Sequence, residues 1–299
     1  MKKHGARWLL PALAVLTAAG WLGNCTVGTT EYVLRCARLP ESFSGLRIVQ
    51  ISDLHGMQFG TGNARLLTAV KQAKPDLIAL TGDLADELTE LSALPAFLTE
   101  LSALAPTFYV TGNHEWVMER RERAVLFVLL KRCGVTRLRN EYRVLLRGGA
   151  RIVLAGVDDP NGPADQKTPK ALVREIREQE GEEAYIVMLA HRNDQLQSWA
   201  SLGVDVVLSG HAHGGIVRLP GVGAVFGTHY EFFPEYTDGV CAEGQTQMVV
   251  SRGLGPSHRI PLRIGNRPEL AVVTLAKDMK RKQIINNHPV SLFFCGGKL

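Results

Sequence analysis

Seven side chains that could bind metal ions follow directly after five apolar runs of the chain. Asp, Asn and His supply the oxygen and nitrogen atoms that divalent transition metals bind. One run, PTFYV, leads into TGNHEW, where Asn and His are poor strand formers placed at a predicted strand end. Turn chemistry would explain one such ending, but five in one chain indicate a site. The seven residues are Asp53, His55, Asp83, Asn113, His191, His211 and His213.

The number of donors exceeds what a single ion takes. A mononuclear site needs three or four protein ligands, whereas seven suit two ions about 3.5–4 Å apart that share one carboxylate. Two divalent ions bring four positive charges, and Asp53 and Asp83 return only two of them. The site would therefore keep positive charge and attract a phosphate oxygen.

The segments that carry these residues alternate between strand and helix patterns. Short apolar runs predict buried strands at 46–52, 76–82 and 107–112, and helical spacing follows each of them, at 63–73, 91–104 and 117–132. The later pattern predicts a hairpin at 142–157, a helix at 168–180 with Thr168 as N-cap, strands at 184–191 and 204–211, and mainly strands after residue 215.

This order of elements predicts an α/β fold, built as a two-sheet β-sandwich flanked by helices in an α/β/β/α arrangement. Sites in α/β proteins form outside the carboxyl ends of strands. Because all seven donors follow predicted strand ends, we expect them to meet at one edge of the sheets.

The polar strand ends carry five motifs that resemble those of the calcineurin-like metallophosphoesterase family, in the family's order. They read DLH (53–55), GDLAD (82–86), GNHE (112–115), His191 and GHAH (210–213), and the resemblance covers roughly residues 44–275. The stretch 250–270, the apolar N-terminus and HGG (213–215) further resemble a membrane-anchored bacterial branch. That branch includes phosphodiesterases and a UDP-diacylglucosamine pyrophosphatase of lipid A synthesis. Ile216 stands where the family often has Gln.

The resemblance implies a role for each residue. One ion would be held by Asp53, His55, Asp83 and His213, and the other by Asp83, Asn113, His191 and His211. His114 would be the catalytic residue, donating a proton to the leaving oxygen, and Asp86 would support the site through a hydrogen bond. The cofactors would be two divalent ions, for which Mn, Zn, Fe or Co all suit this set of ligands.

Other polar and aromatic residues have a simpler interpretation. Glu115 is interpreted as helix-start chemistry, Asp158 and Asp159 as turn residues, and His229 as a loop or surface residue. The aromatic stretch 225–236 leaves two interpretations open, packing over the second sheet or docking to a membrane or an acyl chain.

The composition is that of a globular protein of 299 residues, 45% hydrophobic and 21% charged. A net charge of +5 suits an anionic membrane surface or a phosphorylated substrate, and it is too small to indicate nucleic acid, so no nucleic-acid partner is expected. The five cysteines lack the paired spacing of a zinc knuckle.

The N-terminus differs from the rest of the chain. Residues 8–30 carry no charge and follow Lys2, Lys3 and Arg7, which predicts a signal anchor that leaves the catalytic domain outside the cell membrane. A cleaved secretory signal ending near Trp21, with a secreted product, and a lipid-modified Cys25 are the alternatives.

These patterns predict an N-terminal anchor or signal (1–30), a linker (31–44), a metallophosphoesterase domain (45–276) and a peripheral tail (277–299). The expected activity is hydrolysis of a phosphodiester or pyrophosphate bond in a phosphorylated small molecule or a lipid of the cell envelope. Two alternatives stay open: a phosphomonoesterase acting on nucleotides or phosphoproteins, and an inactive binding module with the same fold.

Overall fold

The computed structural model describes residues 26–256 and 263–278. Its strands are β1 (Gly28–Cys36), β2 (Arg47–Ile51), β3 (Leu77–Thr81), β4 (Thr107–Val110), β5 (Thr136–Arg137), β6 (Glu141–Arg147), β7 (Ala150–Gly156), β8 (Ile186–Leu189), β9 (Val206–Ser209), β10 (Val217–Leu219), β11 (Gly223–Phe226), β12 (Gly239–Glu243), β13 (Thr246–Val250) and β14 (Glu269–Lys277).

Six α-helices are interspersed among the described strands. They are α1 (Ala64–Ala73), α2 (Leu94–Leu104), α3 (Asn113–Val117), α4 (Arg120–Arg132), α5 (Pro169–Glu180) and α6 (Leu196–Ser201), and short 3-10 helices lie at Glu41–Phe43, Thr61–Asn63 and Leu91–Ala93. As predicted, α5 begins at an N-cap where the Thr168 side chain accepts a hydrogen bond from the Ala171 N–H.

The strands form two six-stranded sheets, as the predicted two-sheet α/β fold requires. The first sheet has the order β1-β14-β2-β3-β4-β5 and the second β12-β13-β9-β8-β7-β6, while β10 and β11 form a separate pair. The predicted hairpin is β6–β7, which turns at Gly148 and Gly149, both at positive φ.

Three buried apolar clusters hold the sheets and helices together. Ile48 and Val273 of the first sheet and Val187 and Leu208 of the second belong to one buried cluster, which lies between the sheets. A second cluster packs α1, α2 and α4 on the outer face of the first sheet. A third does the same for α5 and α6 on the second sheet. The layers therefore run helix, sheet, sheet, helix.

The parallel strands bring their carboxyl ends to a common edge. In the first sheet β2, β3 and β4 are parallel neighbours, and in the second β8 and β9 are. The buried Gln50 side chain joins the sheets there, donating to Thr81 Oγ1 at 3.0 Å and to the Ser209 carbonyl at 2.8 Å. Loops that follow strands of different sheets are thus held side by side.

Two segments differ from their sequence-based predictions. The first six residues of the predicted linker 31–44 belong to β1, an edge strand that pairs in parallel with β14 over its whole length, and β1 also takes in residues 28–30 of the predicted anchor. The helix predicted at 117–132 is α4, which begins only at Arg120, and α3 was not predicted; Met118 (ψ 147°) and Glu119 (ψ 137°) are extended between the two helices.

The predicted anchor falls mostly on residues 1–25, and the predicted tail mostly on residues 279–299, which lie outside the described residues. Within the described part of the chain, no helix combines the length and the apolar character needed to cross a membrane.

Candidate metal centre

Four of the predicted ligands, Asp53, His55, Asp83 and His213, form one cluster at the shared edge of the sheets. One donor atom from each lies within 4.8 Å of the others. His55 Nε2 is 3.8 Å from Asp83 Oδ2, and His213 Nε2 is 3.4 Å from Asp53 Oδ1. The His55 and His213 rings stack at 5.1 Å, so loops from the two sheets meet across this cluster.

A second cluster shares Asp83 with the first. Asp83, His191 and His211 also offer donor atoms within 4.8 Å of one another. His191 Nε2 lies 3.1 Å from Asp83 Oδ2, 3.2 Å from Asn113 Oδ1 and 3.2 Å from His211 Nδ1. The structure therefore brings all seven predicted ligands together, in the two groups that the family resemblance implies.

The backbone is strained where it presents these side chains. Asp53, His55, Asp83, His211 and His213 all have φ between 47° and 69°, in the left-handed region. Each such residue costs free energy on the order of 1–3 kcal/mol and persists only where the surrounding structure enforces it. Five such residues in one site point to a functional arrangement that stability alone would not maintain.

Glycines in the motifs let the backbone approach the carboxylates. A Cβ on Gly112 would lie 2.2 Å from Asp83 Oδ1, and one on Gly210 would lie 2.3 Å from Asp53 Oδ2. Any larger residue would displace the carboxylates. With no side chain in the way, the loops carrying Asn113 and His211 pass directly beside the two aspartates.

Glu115 holds the loop after β3 in place. Its fully buried carboxylate accepts N–H bonds from Leu84 (2.7 Å), Asp83 (3.1 Å), Ala85 (3.3 Å) and Gly112 (2.7 Å). The bond from the Gly112 N–H is the helix-start chemistry expected from the sequence. The other three donors belong to a different loop, the one after β3. Burial, together with the nearby Asp83, raises the pKa of Glu115 to about 7.

Hydrogen bonds at the Nδ1 atoms orient the imidazole rings of His55 and His191. His55 Nδ1 lies 3.1 Å from Asp86 Oδ2, and His191 Nδ1 lies 2.9 Å from the Thr81 carbonyl. Burial opposes the charge of Asp86, but His55, the Thr89 hydroxyl and the Leu88 N–H together outweigh it and bring the pKa of that carboxyl to about 2. Each ring is thereby fixed with Nε2 toward Asp83, as a metal-binding histidine requires.

The negative charge of Asp83 at the centre of the site favours a bound cation. Burial opposes charge on His191, yet the Asp83 carboxylate outweighs it and raises the pKa of His191 to about 10. Burial instead lowers the pKa of His213 to about 3 and, with the neighbouring His191 and Arg192, that of His211 to about 2. These two rings are neutral, the form in which histidine binds metals.

Two buried donor atoms at the centre make no well-aligned hydrogen bond within the described chain. They are His55 Nε2 and Asp83 Oδ2, the second of which has an ion-pair contact with His191 Nε2 at 3.1 Å. Buried polar atoms are normally satisfied, because leaving one without a partner costs about 1–3 kcal/mol. Both atoms face the shared centre, where a divalent ion would satisfy them. The Asp/His cluster thus fits a dinuclear divalent metal site.

His114 lies beside the two clusters and belongs to neither. Its ring meets that of His55 edge-on at 4.9 Å, and its backbone N–H donates to Asp83 Oδ1 at 2.8 Å. Its side chain stays 18% exposed, with Nδ1 3.8 Å from Glu87 Oε2. His114 can therefore reach a group bound at the centre while the ligands stay in place.

Arg192 contacts the site and was missed by the sequence analysis. Its Nε and Nη2 bind the two oxygens of Asp159 at 2.6 and 3.2 Å, and Nη1 lies 3.0 Å from His211 Nε2. Asp159 is thus more than a turn residue. Because Arg192 directly follows the predicted ligand His191, its position could have suggested this role.

A cavity of about 300 Å³ lies next to the centre. It is bounded by the loop after β7 and by α6, where Pro160, Pro163, Trp199 and Leu202 give it an apolar lining. His191 and Arg192 also border it. An organic group attached to a phosphate at the centre would find room there.

Comparison with known proteins defines the class of this protein. The sequence model of the calcineurin-like phosphoesterase family matches residues 46–215, the span from the start of β2 to the GHAHGG motif. The chain belongs to the calcineurin-like phosphoesterase family, as its motifs predicted. It is a hydrolase that acts on phosphoric esters.

Three relatives illustrate where the chain stands in the family. It is 31% identical to the uncharacterized metallophosphoesterase YkuE of Bacillus subtilis, over 92% of this chain and 99% of that one. It is 28% identical to the phosphodiesterase YaeI of Escherichia coli, over 88% and 94%. A bovine transmembrane protein with a metallophosphoesterase domain is 31% identical, over 89% of this chain and 62% of its own length.

Proposed function

We propose that the protein is a dinuclear metal-dependent phosphodiesterase that cleaves phosphodiester or pyrophosphate bonds of amphiphilic, cell-envelope substrates. The observation that carries the proposal is the sharing of Asp83 by two clusters of aspartate and histidine donors, with His114 beside them. Ions bound there would polarise the phosphoryl oxygens and activate water.

The side chains of the site would have distinct roles in catalysis. Asp53, Asp83 and Asn113, with the four histidines of the clusters, would hold the ions. His114 would give its proton to the leaving oxygen, because it is near the centre and partly exposed. Arg192 presents a fixed cation at the rim, where it would help to orient the phosphate.

A diester is favoured over a monoester by the surroundings of the site. The apolar cavity beside His191 offers space for a second organic substituent on phosphorus. The name of the relative YaeI, a phosphodiesterase, agrees with this preference.

We also propose that the catalytic domain works at the outer face of the cell membrane. The uncharged run from residue 8 behind Lys2, Lys3 and Arg7 supports an anchor of this orientation. The bovine relative is named a transmembrane protein, which agrees with the proposal.

The test is to compare two aryl esters with the full-length protein in detergent and Mn²⁺. We expect kcat/KM for bis(p-nitrophenyl) phosphate to exceed that for p-nitrophenyl phosphate by about tenfold or more, and Asp83→Asn to abolish both activities. A preference for the monoester would support a phosphomonoesterase instead. Two bound ions without turnover of either ester would support a binding module.

A further inference from the structure

Three aromatic side chains project from the loop between β11 and β12. Tyr230 is 53% exposed, Phe232 76% and Phe233 68%. We call these three residues the aromatic patch. Their exposure contradicts the interpretation that they pack over the second sheet. A cluster of exposed aromatic residues marks a surface that another molecule covers.

The patch is held outward by an ordered loop. Phe226 forms a bridge with Phe232, the Gly227 N–H donates to the Glu231 carbonyl at 2.9 Å, and the Phe233 N–H donates to the Val225 carbonyl at 3.1 Å. Tyr230 and Phe233 have φ of 66° and 53°. Both the strain and the exposure cost free energy, and the ring contacts of Phe226 with Tyr230 at 6.3 Å and Phe232 at 5.2 Å still leave more than half of each patch residue exposed.

The same loop borders the metal centre at both ends. At its start, the His229 ring lies 5.5 Å from that of His211, a predicted ligand. At its end, the Tyr236 carbonyl accepts a hydrogen bond from Asn193 Nδ2 at 2.8 Å, two residues after His191. Whatever covers the aromatic patch is therefore brought close to the site.

The N-terminal segment enters the domain on this side too. Arg267 Nη2 donates to the Val27 carbonyl at 2.8 Å, and its neighbour Asn266 donates through Nδ2 to the His213 carbonyl at 2.7 Å. The described part of the uncharged run begins at Thr26. It is bound by Arg267, and the preceding residue, Asn266, contacts His213 of the metal centre.

We propose that the aromatic patch inserts into the interfacial layer of a lipid bilayer and so holds the metal centre against phosphate groups at the membrane surface. Aromatic side chains favour this layer. The loop 227–236 carries Glu231 and Glu235 and no Lys or Arg. Insertion therefore depends on apolar contact, and neutral phosphatidylcholine suffices. The substrate class, an amphiphilic phosphodiester, rests on the proposed function, but insertion does not.

Insertion is tested by fluorescence quenching in the full-length chain. Phe232→Cys in a Cys25→Ser, Cys295→Ser background is labelled with a fluorophore and reconstituted in phosphatidylcholine vesicles that contain nitroxide-labelled lipid. The matched control is Leu146→Cys, 79% exposed and paired with Arg151 at the opposite, amino end of β7. We expect strong quenching at position 232 and little at position 146. Equal quenching at both positions, or shielding of position 232 by a second copy of the chain in detergent, would overturn the proposal.

The consequence for catalysis is tested with two esters that share one leaving group. For hexadecyl p-nitrophenyl phosphate in vesicles, Phe232→Ser with Phe233→Ser should raise KM by about tenfold. KM for soluble methyl p-nitrophenyl phosphate should stay unchanged, which also shows that the variant is folded. An equal rise for both esters would contradict the inference. If neither ester is cleaved by the wild type, the proposed function fails, while the quenching result stands by itself.

Discussion

Asp83 lies at the centre of the site, and its two carboxylate oxygens make different contacts. Oδ1 accepts the backbone N–H of His114 at 2.8 Å, which fixes the orientation of the carboxylate. Oδ2 faces His191 at 3.1 Å and His55 at 3.8 Å, one from each cluster. A single short side chain thus joins two ligand groups, as a bridging carboxylate must.

At the residue scale, substitutions of the neighbours Asn113 and His114 should have different effects on metal binding and on kcat. Asn113→Ala removes a predicted ligand oxygen, so one ion should bind more weakly and added metal should partly restore activity. His114→Ala leaves all seven predicted ligands in place, so metal content should hold while kcat falls by about 10²–10⁴, the usual range for general acid catalysis.

The measurement is kcat for both variants against diesters of graded leaving-group pKa, with metal content determined on the same samples. The His114→Ala loss should shrink for acidic leaving groups such as nitrophenolate, which need little protonation. A uniform loss across the series, or a lost ion in His114→Ala, would remove His114 from the role of acid.

At the scale of elements, the strand ends were predictable and the links between loops were not. Runs such as 76–82 show where a strand stops, so the convergence of Asp53 and Asp83 follows from the parallel pairing of β2 and β3. The bonds from Glu115 to the loop after β3 join residues about thirty positions apart, and no local pattern encodes them. The break between α3 and α4 was missed for a similar reason, since Met118 and Glu119 are ordinary helix formers.

Glu115→Gln tests how far this loop depends on one side chain. In either orientation, the amide NH₂ of Gln would face two backbone N–H donors where a carboxylate oxygen now accepts them. Above about pH 8, where the Glu115 carboxyl is ionised, we expect a loss of about 2–4 kcal/mol in the free energy of unfolding, because buried bonds to a charged group are broken. Urea unfolding measures it.

The control for this change is Glu122→Gln, an exposed position in the first turn of α4. It should shift the free energy of unfolding by less than about 0.5 kcal/mol. A similarly small shift for Glu115→Gln would show that the loop is held by other contacts.

For the whole molecule, the α/β/β/α arrangement followed from the order of elements, but the role of the N-terminal strand did not. β1 alternates exposed and buried residues at the edge of the first sheet, and its partner β14 lies more than 230 residues later. Pairing over such a distance leaves no trace in local sequence, so 31–44 resembled a linker. The strand closes the sheet and sets where the preceding segment meets the domain.

The most direct test of the central claim is the number of metal ions per chain in purified, active protein, measured by elemental analysis beside the Asp83→Asn variant. Because one shared carboxylate serves both clusters, the account predicts two ions per chain in the wild type. In the variant it predicts weakened binding of both ions and no turnover. Full phosphodiesterase activity with one ion or none, or an Asp83→Asn variant that keeps two ions and its activity, would contradict it.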